Sequence, residues 1–190
     1  MNLQWLPSSL EAVFIWGNEL EGTLDFEYLP AAVFECDINR NEFEGSVNLT
    51  NLPPNHEYFD ASENTFSGTL NLTCLPDTLK MIYLMSCDFS GSVDFTRLPR
   101  ALKELYLSDN SLSGKIDLAR LPDSLVKLHL GVNNFCGETD FSRLPNGLRL
   151  LNIGKNVDLA GTLVLRDELG YTYCMYSAEG TKVVVIEGQE

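Results

Sequence analysis

Apolar residues recur along this chain in a fixed frame. Taking the proline of each Leu-Pro pair as position 1, they stand at positions 4, 7, 9, 14, 18, 20 and 23. In the copy that begins at Pro99 these are Leu102, Leu105, Leu107, Leu112, Ile116, Leu118 and Leu121. The prolines fall at Pro7, Pro30, Pro53, Pro76, Pro99, Pro122 and Pro145, each 23 residues after the last. Alternation around positions 7 and 9 predicts a short strand over positions 6 to 10: Ala12–Trp16, Glu35–Asn39, Tyr58–Ser62, Met81–Met85, Glu104–Ser108, Lys127–Gly131 and Leu150–Gly154. Positions 7 and 9 point inward and positions 6, 8 and 10 outward. A second apolar–polar–apolar run at positions 18 to 20 predicts another short strand on the opposite side. The span left before the next Leu-Pro is too short for a helix. Glycine at position 16, from Gly22 to Gly137, allows a tight backbone turn there.

Position 12 is polar where the frame would otherwise continue inward. It holds Asn18, Asn41, Asn64, Asn110, Asn133 and Asn156, with Cys87 in the fourth copy. A side chain that both donates and accepts hydrogen bonds can satisfy the backbone of a bend, and leucine there would leave those groups unpaired. A period of 20 to 29 residues containing L-x-x-L-x-L-x-x-N resembles the leucine-rich repeat family. The N-x-F-x-G stretch is similar to plant-type repeats, and the 23-residue copies with Leu-Pro resemble those of protist proteins. This chain carries Asp or Asn where the plant pattern has proline. The resemblance implies a mainly β, right-handed, curved solenoid. Its parallel sheet would be concave, with a shorter second sheet on the convex side and little helix. No single repeat buries enough apolar surface to fold alone, so neighbours must stack.

Residues 1–166 read as the solenoid, about seven coils, with one extra residue near Val157-Asp158. Residues 171–176 and 181–186 are rich in β-formers and are separated by Ser177 to Gly180, which predicts a β-hairpin. Residues 167–190 are therefore expected to form a C-terminal β cap over the open end of the stack.

The 190 residues carry 13 Lys and Arg against 27 Asp and Glu, a net charge of −14. That balance argues against nucleic acid and anionic membrane surfaces and favours a protein partner with a basic or mixed surface. No stretch reads as a membrane span or as a signal peptide. Five cysteines, an odd number without C-x-x-C, lean toward a reducing intracellular setting. Asn48-Leu-Thr50 and Asn71-Leu-Thr73 have the form of glycosylation acceptors, but position 19 holds Asp or Asn in each of the first six copies. At that position Asp94, Asp117 and Asp140 would form an outward charged column, offset by Arg97, Arg120 and Arg143.

Chemistry is sought on the expected concave face. Phe14, Trp16, Tyr58, Met81, Tyr83, Met85 and Tyr106 stand there among Glu35, Asp37, Asp60 and Glu104, and no structural duty is evident for them. Aromatic anchors mixed with carboxylates have the composition of a protein-binding surface. Asp37 and Asp60 on neighbouring strands could form an acid/base pair or a Ca²⁺ site, but a solvated acidic patch explains them more simply. His56 occupies an inward position and His129 lies apart from the carboxylates of its own column. No catalytic residue, metal site or cofactor is predicted. The expectation is a non-catalytic protein-interaction module or scaffold subunit, with a surface recognition domain for glycans or small ligands as the alternative.

Overall fold

Two parallel sheets run side by side through the computed structural model, which describes residues 3–165 and 175–187. The first consists of β1 (Ala12–Phe14), β3 (Glu35–Asp37), β5 (Tyr58–Asp60), β7 (Met81–Tyr83), β9 (Glu104–Tyr106), β11 (Lys127–His129), β13 (Leu150–Asn152) and β15 (Met175–Ser177). The second consists of β2 (Glu21–Thr23), β4 (Glu42–Ser46), β6 (Thr65–Thr69), β8 (Asp88–Gly91), β10 (Ser111–Gly114), β12 (Asn134–Asp140), β14 (Asp158–Leu165) and β16 (Lys182–Glu187). Each coil contributes one strand to each sheet, giving a mainly β solenoid of eight coils. Among the described residues the helical content is three single 3₁₀ turns, at Leu3–Trp5, Phe26–Tyr28 and Leu49–Asn51.

The 23-residue period sets the register of the first sheet. Ala12 lies opposite Glu35, Tyr58 opposite Met81 and Leu128 opposite Leu151. Equivalent side chains therefore stack, and the core is a set of columns. Cys36, Phe59, Ile82, Leu105, Leu128 and Leu151 form the column at position 7, and Phe43, Phe66, Phe89, Leu112 and Phe135 that at position 14, all buried. Phe43 and Phe66 stack with centroids 6.2 Å apart. His56 fills the inward site at position 4 and is fully buried, its Nδ1 3.2 Å from the Val33 carbonyl oxygen. Burial lowers its pKa and keeps the ring neutral. Cys36, Cys74, Cys87 and Cys136 are free thiols, and burial pushes that of Cys87 up to about 11.

Three sequence expectations are corrected. The strands of the first sheet end at position 8, although backbone pairing continues past them: Ile15 N donates to Asp37 O and Gly17 N to Asn39 O, both at 2.9 Å. The second sheet starts at positions 13 to 15 in the first six coils instead of at 18 to 20. Positions 18 and 20 are buried, but position 19 turns its side chain back onto its own chain. The Oδ1 atoms of Asp25, Asn48, Asn71, Asp94, Asp117 and Asp140 each accept the amide two residues on, at 2.8–3.1 Å. The column is outward, as expected, with Asp94, Asp117 and Asp140 exposed and Arg143 4.0 Å from Asp140, and it is also a row of Asx turns that lead each coil to its next Leu-Pro. The last two strands form no hairpin either. β15 pairs in parallel with β13 and β16 with β14, so they extend the two sheets as an eighth coil. Residues 166–174, where the first arm of the expected hairpin begins, lie outside the described residues.

Position 12 ties the coils together. Asn133 Nδ2 donates to Leu107 O of the coil before (2.9 Å) and to Leu130 O and Gly131 O of its own coil (3.1 and 3.3 Å). Its Oδ1 accepts Leu112 N of the coil before at 3.0 Å. Asn41, Asn64, Asn110 and Asn156 repeat this four-bond pattern. Cys87 supplies only long Sγ contacts, to Ala61 O at 3.5 Å and Met85 O at 3.7 Å.

The bend before each asparagine needs a left-handed residue. Position 11 has φ between 52° and 59° at Arg40, Glu63, Ser86, Asp109, Val132 and Lys155, and 67° at Gly17. Val132 fits worst, because its branched Cβ crowds the backbone in that region. Replacing it with Asn, which tolerates this conformation, should stabilise the chain by about 1 kcal/mol. Chemical denaturation measures the change, and an unchanged or lower midpoint would count against a left-handed position 11.

Candidate functional site

Positions 6, 8 and 10 of successive coils lie side by side on the outward face of the first sheet. The sequence-predicted residues are brought together there as three different environments. Phe14 and Trp16, in the first coil, are 56% and 58% exposed. Neither ring takes part in an aromatic pair among the described residues.

In the second and third coils the carboxylates are built into the strand ends. Asp37 Oδ1 accepts Asn39 N at 3.2 Å and Asn39 Nδ2 at 2.6 Å. Asp60 Oδ1 accepts Ser62 N at 2.9 Å, and its Oδ2 receives Asn39 Nδ2 at 3.3 Å and Tyr58 Oη at 3.4 Å. The amide of Asn39 bridges the two acids, a role the sequence reading missed. The signal was present in the chain, since a donor at position 10 stands between two position-8 aspartates on adjacent strands. Asn152 closes its strand the same way, accepting Gly154 N at 3.1 Å. These acids therefore do have a structural duty, contrary to expectation. Burial raises the pKa of Asp60, with the neighbouring Asp37 acting in the same direction and the Ser62 amide against it. No group of three or more His, Cys, Asp or Glu among the described residues is placed to hold a metal ion.

From the third to the sixth coil the face is an aromatic ladder. Tyr58 and Tyr83 meet edge to face at 5.6 Å and Tyr83 and Tyr106 at 4.7 Å, while Tyr106 stacks on His129 at 4.1 Å. Glu104 clamps it. Tyr83 Oη donates to Glu104 Oε2 at 2.7 Å, and Lys127 Nζ lies 3.0 Å from Oε1. Met81 and Met85 are half-buried beside the ladder, Met81 Sδ 3.6 Å from Tyr83 Oη and Met85 N 3.2 Å from Ser62 Oγ. Glu35 is half-buried opposite Tyr58. Burial raises the tyrosine pKa values and lowers that of His129, while the bond to Glu104 raises that of Lys127. The tyrosine and lysine shifts favour the protonated forms, and the His129 shift favours the neutral ring. The C-terminal end of the face is lean because Asn152 fills it: a Cβ on Gly131 would lie 2.5 Å from its Oδ1.

Charge is divided along the axis as well. Residues 1–75 hold 12 acidic side chains against one basic residue, Arg40, whereas residues 76–155 hold 9 acidic against 10 basic. The exposed aromatic pair lies at the acidic end.

No family model and no curated relative matches the chain. Among solved structures it is similar to the plant peptide hormone receptor RGFR1 in complex with RGF2, with a TM-score of 0.69 and 22% identity over 96% of this chain and 34% of that one. It is also similar to a plant ice-binding protein, with a TM-score of 0.63 and 16% identity over 92% of this chain and 65% of that one. Against a pollen receptor kinase 3 the TM-score is 0.54 at 16% identity, over 91% of this chain and 74% of that one. The chain spans about a third of the first of these structures. At such identities the likeness is one of fold, and the fold is that of leucine-rich-repeat proteins.

The Asp60 environment can be tested by titration. Its folded pKa stands above the ordinary 3.8, so ionisation opposes folding. That cost is present in full above the folded value and absent below 3.8. Asp60→Asn keeps an acceptor for Ser62 N, as Asn152 does for Gly154, but sets an amide nitrogen against the donor Asn39 Nδ2, at a cost that does not depend on pH. The melting temperature of the variant relative to the parent should therefore rise as the pH goes from below about 4 to 7. A difference that is flat or falls over that range would contradict this assignment.

Proposed function

We propose that the chain is a non-catalytic protein-binding module whose partner docks on the outward face of the first sheet, with its energetic centre at the first coils and a basic surface turned toward them. The observation that carries this reading is the contrast within the predicted site. Tyr58, Tyr83 and Tyr106 are already engaged with one another, Asp37 and Asp60 with the backbone, and Glu104 with Tyr83 and Lys127. Phe14 and Trp16 remain uncovered where acidic residues outnumber basic ones twelve to one. Large rigid side chains that can be desolvated without breaking internal contacts contribute most to an interface, and surrounding charge selects the partner and speeds encounter. The half-buried ladder would serve as the stiff floor against which the partner packs. In a protein of similar fold, the RGFR1 structure, the bound molecule is RGF2.

The test begins with the partner recovered by affinity purification from the native source and then prepared pure. Trp16→Ala should weaken its binding by at least about 2 kcal/mol, roughly thirtyfold, with the melting temperature unchanged. Glu35→Lys should slow association and flatten its salt dependence. A folded Trp16→Ala variant that binds as tightly as the parent would move the interface to another surface.

A further inference from the structure

A second surface of unusual charge lies away from the aromatic face, at the corner where each coil passes into the next. Position 22 changes from Tyr28, Asn51 and Cys74 in the first three coils to Arg97, Arg120 and Arg143 in the next three, and position 2 adds Arg100. Two adjoining grooves of about 530 Å³ each open there. Arg97 lines the first and Arg120 the second, and Arg100 and Leu98 are shared by both. All three arginines are exposed, over a floor that includes the buried Leu98 and Leu121.

Among the described residues none of the three is held in an ion pair within 4.0 Å, although Arg97 and Arg120 are near enough to Asp94 to lower its pKa. Arg143 leans on Asp140 at 4.0 Å, and the other ion pairs among the described residues use Arg40, Lys80, Lys127 and Lys182. Arg97, Arg100 and Arg120 are in none of them. The nearby acids keep their charge but commit one oxygen to their own turns: Asp94 Oδ1 accepts Thr96 N and Thr96 Oγ1, and Asp117 Oδ1 accepts Ala119 N. Arg97 and Arg120 are the weakest of the influences that lower the pKa of Asp94. Asp77 and Asp123, at position 2 of the coils on either side of Arg100, also line the grooves. They bound the patch and limit it to the arginine column. Successive coils lie about 4.8 Å apart, so arginines in one column repel unless something anionic lies between them.

We propose that the corner formed by Arg97, Arg100 and Arg120 binds an oligoanionic ligand bearing two or more phosphate or sulfate groups. The guanidinium fork matches the oxygens of either group in bidentate fashion. Two grooves that share Arg100 suit linked anions better than a single ion.

Calorimetry in about 0.15 M salt tests this with tripolyphosphate and a heparin-derived tetrasaccharide, each set against its inorganic ion, phosphate or sulfate. At least one oligoanion should bind at least about tenfold more tightly than its inorganic counterpart, and which of the two does so identifies the source of the anionic group. Arg97→Gln/Arg120→Gln should lose at least about tenfold in that affinity while melting like the parent, since both side chains are exposed. Arg143→Gln and Trp16→Ala should retain it, the latter separating this site from the aromatic face. The proposal is overturned if neither oligoanion surpasses its inorganic ion, if the double variant binds like the parent, or if Arg143→Gln loses as much as the double variant.

Discussion

The asparagine column at position 12 is the constraint on which the rest of this structure depends. Every coil must bend sharply after its first strand, and the bend leaves backbone amides and carbonyls facing a dry interior, where an unmade hydrogen bond costs about 1–3 kcal/mol. A carboxamide answers both needs at once. Its nitrogen gathers two carbonyls of its own bend and one of the previous coil, and its oxygen takes an amide of the previous coil. Half of the bonds of each such rung therefore run between neighbours, so closing a bend and stacking a coil are a single event. The left-handed residue at position 11 is the geometric condition for it, and it is met by side chains as different as Arg40, Glu63 and Val132.

That arrangement explains how the outward face can vary. Once positions 7, 9, 12 and 14 specify the coil, positions 6, 8 and 10 are free to differ from copy to copy while their backbones stay in register. The chain uses this freedom in three ways. Uncovered aromatic rings stand at the acidic first coil, carboxylates bound to the backbone follow, and a tyrosine ladder clamped by Glu104 and Lys127 occupies the centre. The corners vary independently of the face, which places arginines at position 22 in the middle of the stack without disturbing either sheet.

Much of this was legible in the chain itself. The 23-residue frame predicted the first sheet, its inward positions, the scarcity of helix and the asparagine column, because stacking turns a sequence period directly into a register. The second sheet was misplaced. Positions 18 and 20 are inward, as their apolar residues require, but alternation cannot distinguish a strand from an Asx turn flanked by two buried residues, and the capping bond of Asp94 or Asn48 decides it. The hairpin failed for a related reason. Two β-rich segments close in sequence suggest mutual pairing, yet Lys182–Glu187 found an open edge on β14 and Met175–Ser177 one on β13. On the candidate site, residue type identified the face but not its internal bonds. The duty of Asp60 depends on Ser62 N and Asn39 Nδ2, and the stack of Tyr106 on His129 depends on rotamers that spacing does not encode. The left-handed conformation at position 11 left no trace of residue type beyond Gly17.

The central claim is that a position-12 side chain ties its coil to the one before it. Asn18 and Asn133 separate that role from the closing of a single bend. Asn133 is buried and bonds to both its own coil and the preceding one. Asn18 is exposed and, among the described residues, donates to Ile15 O and Trp16 O of its own coil. The direct measurement is the unfolding free energy of Asn133→Ala beside that of Asn18→Ala. The account predicts a loss of at least about 3 kcal/mol for the first, which strands several buried backbone groups, and less than about 1 kcal/mol for the second. Equal losses at the two positions would contradict it.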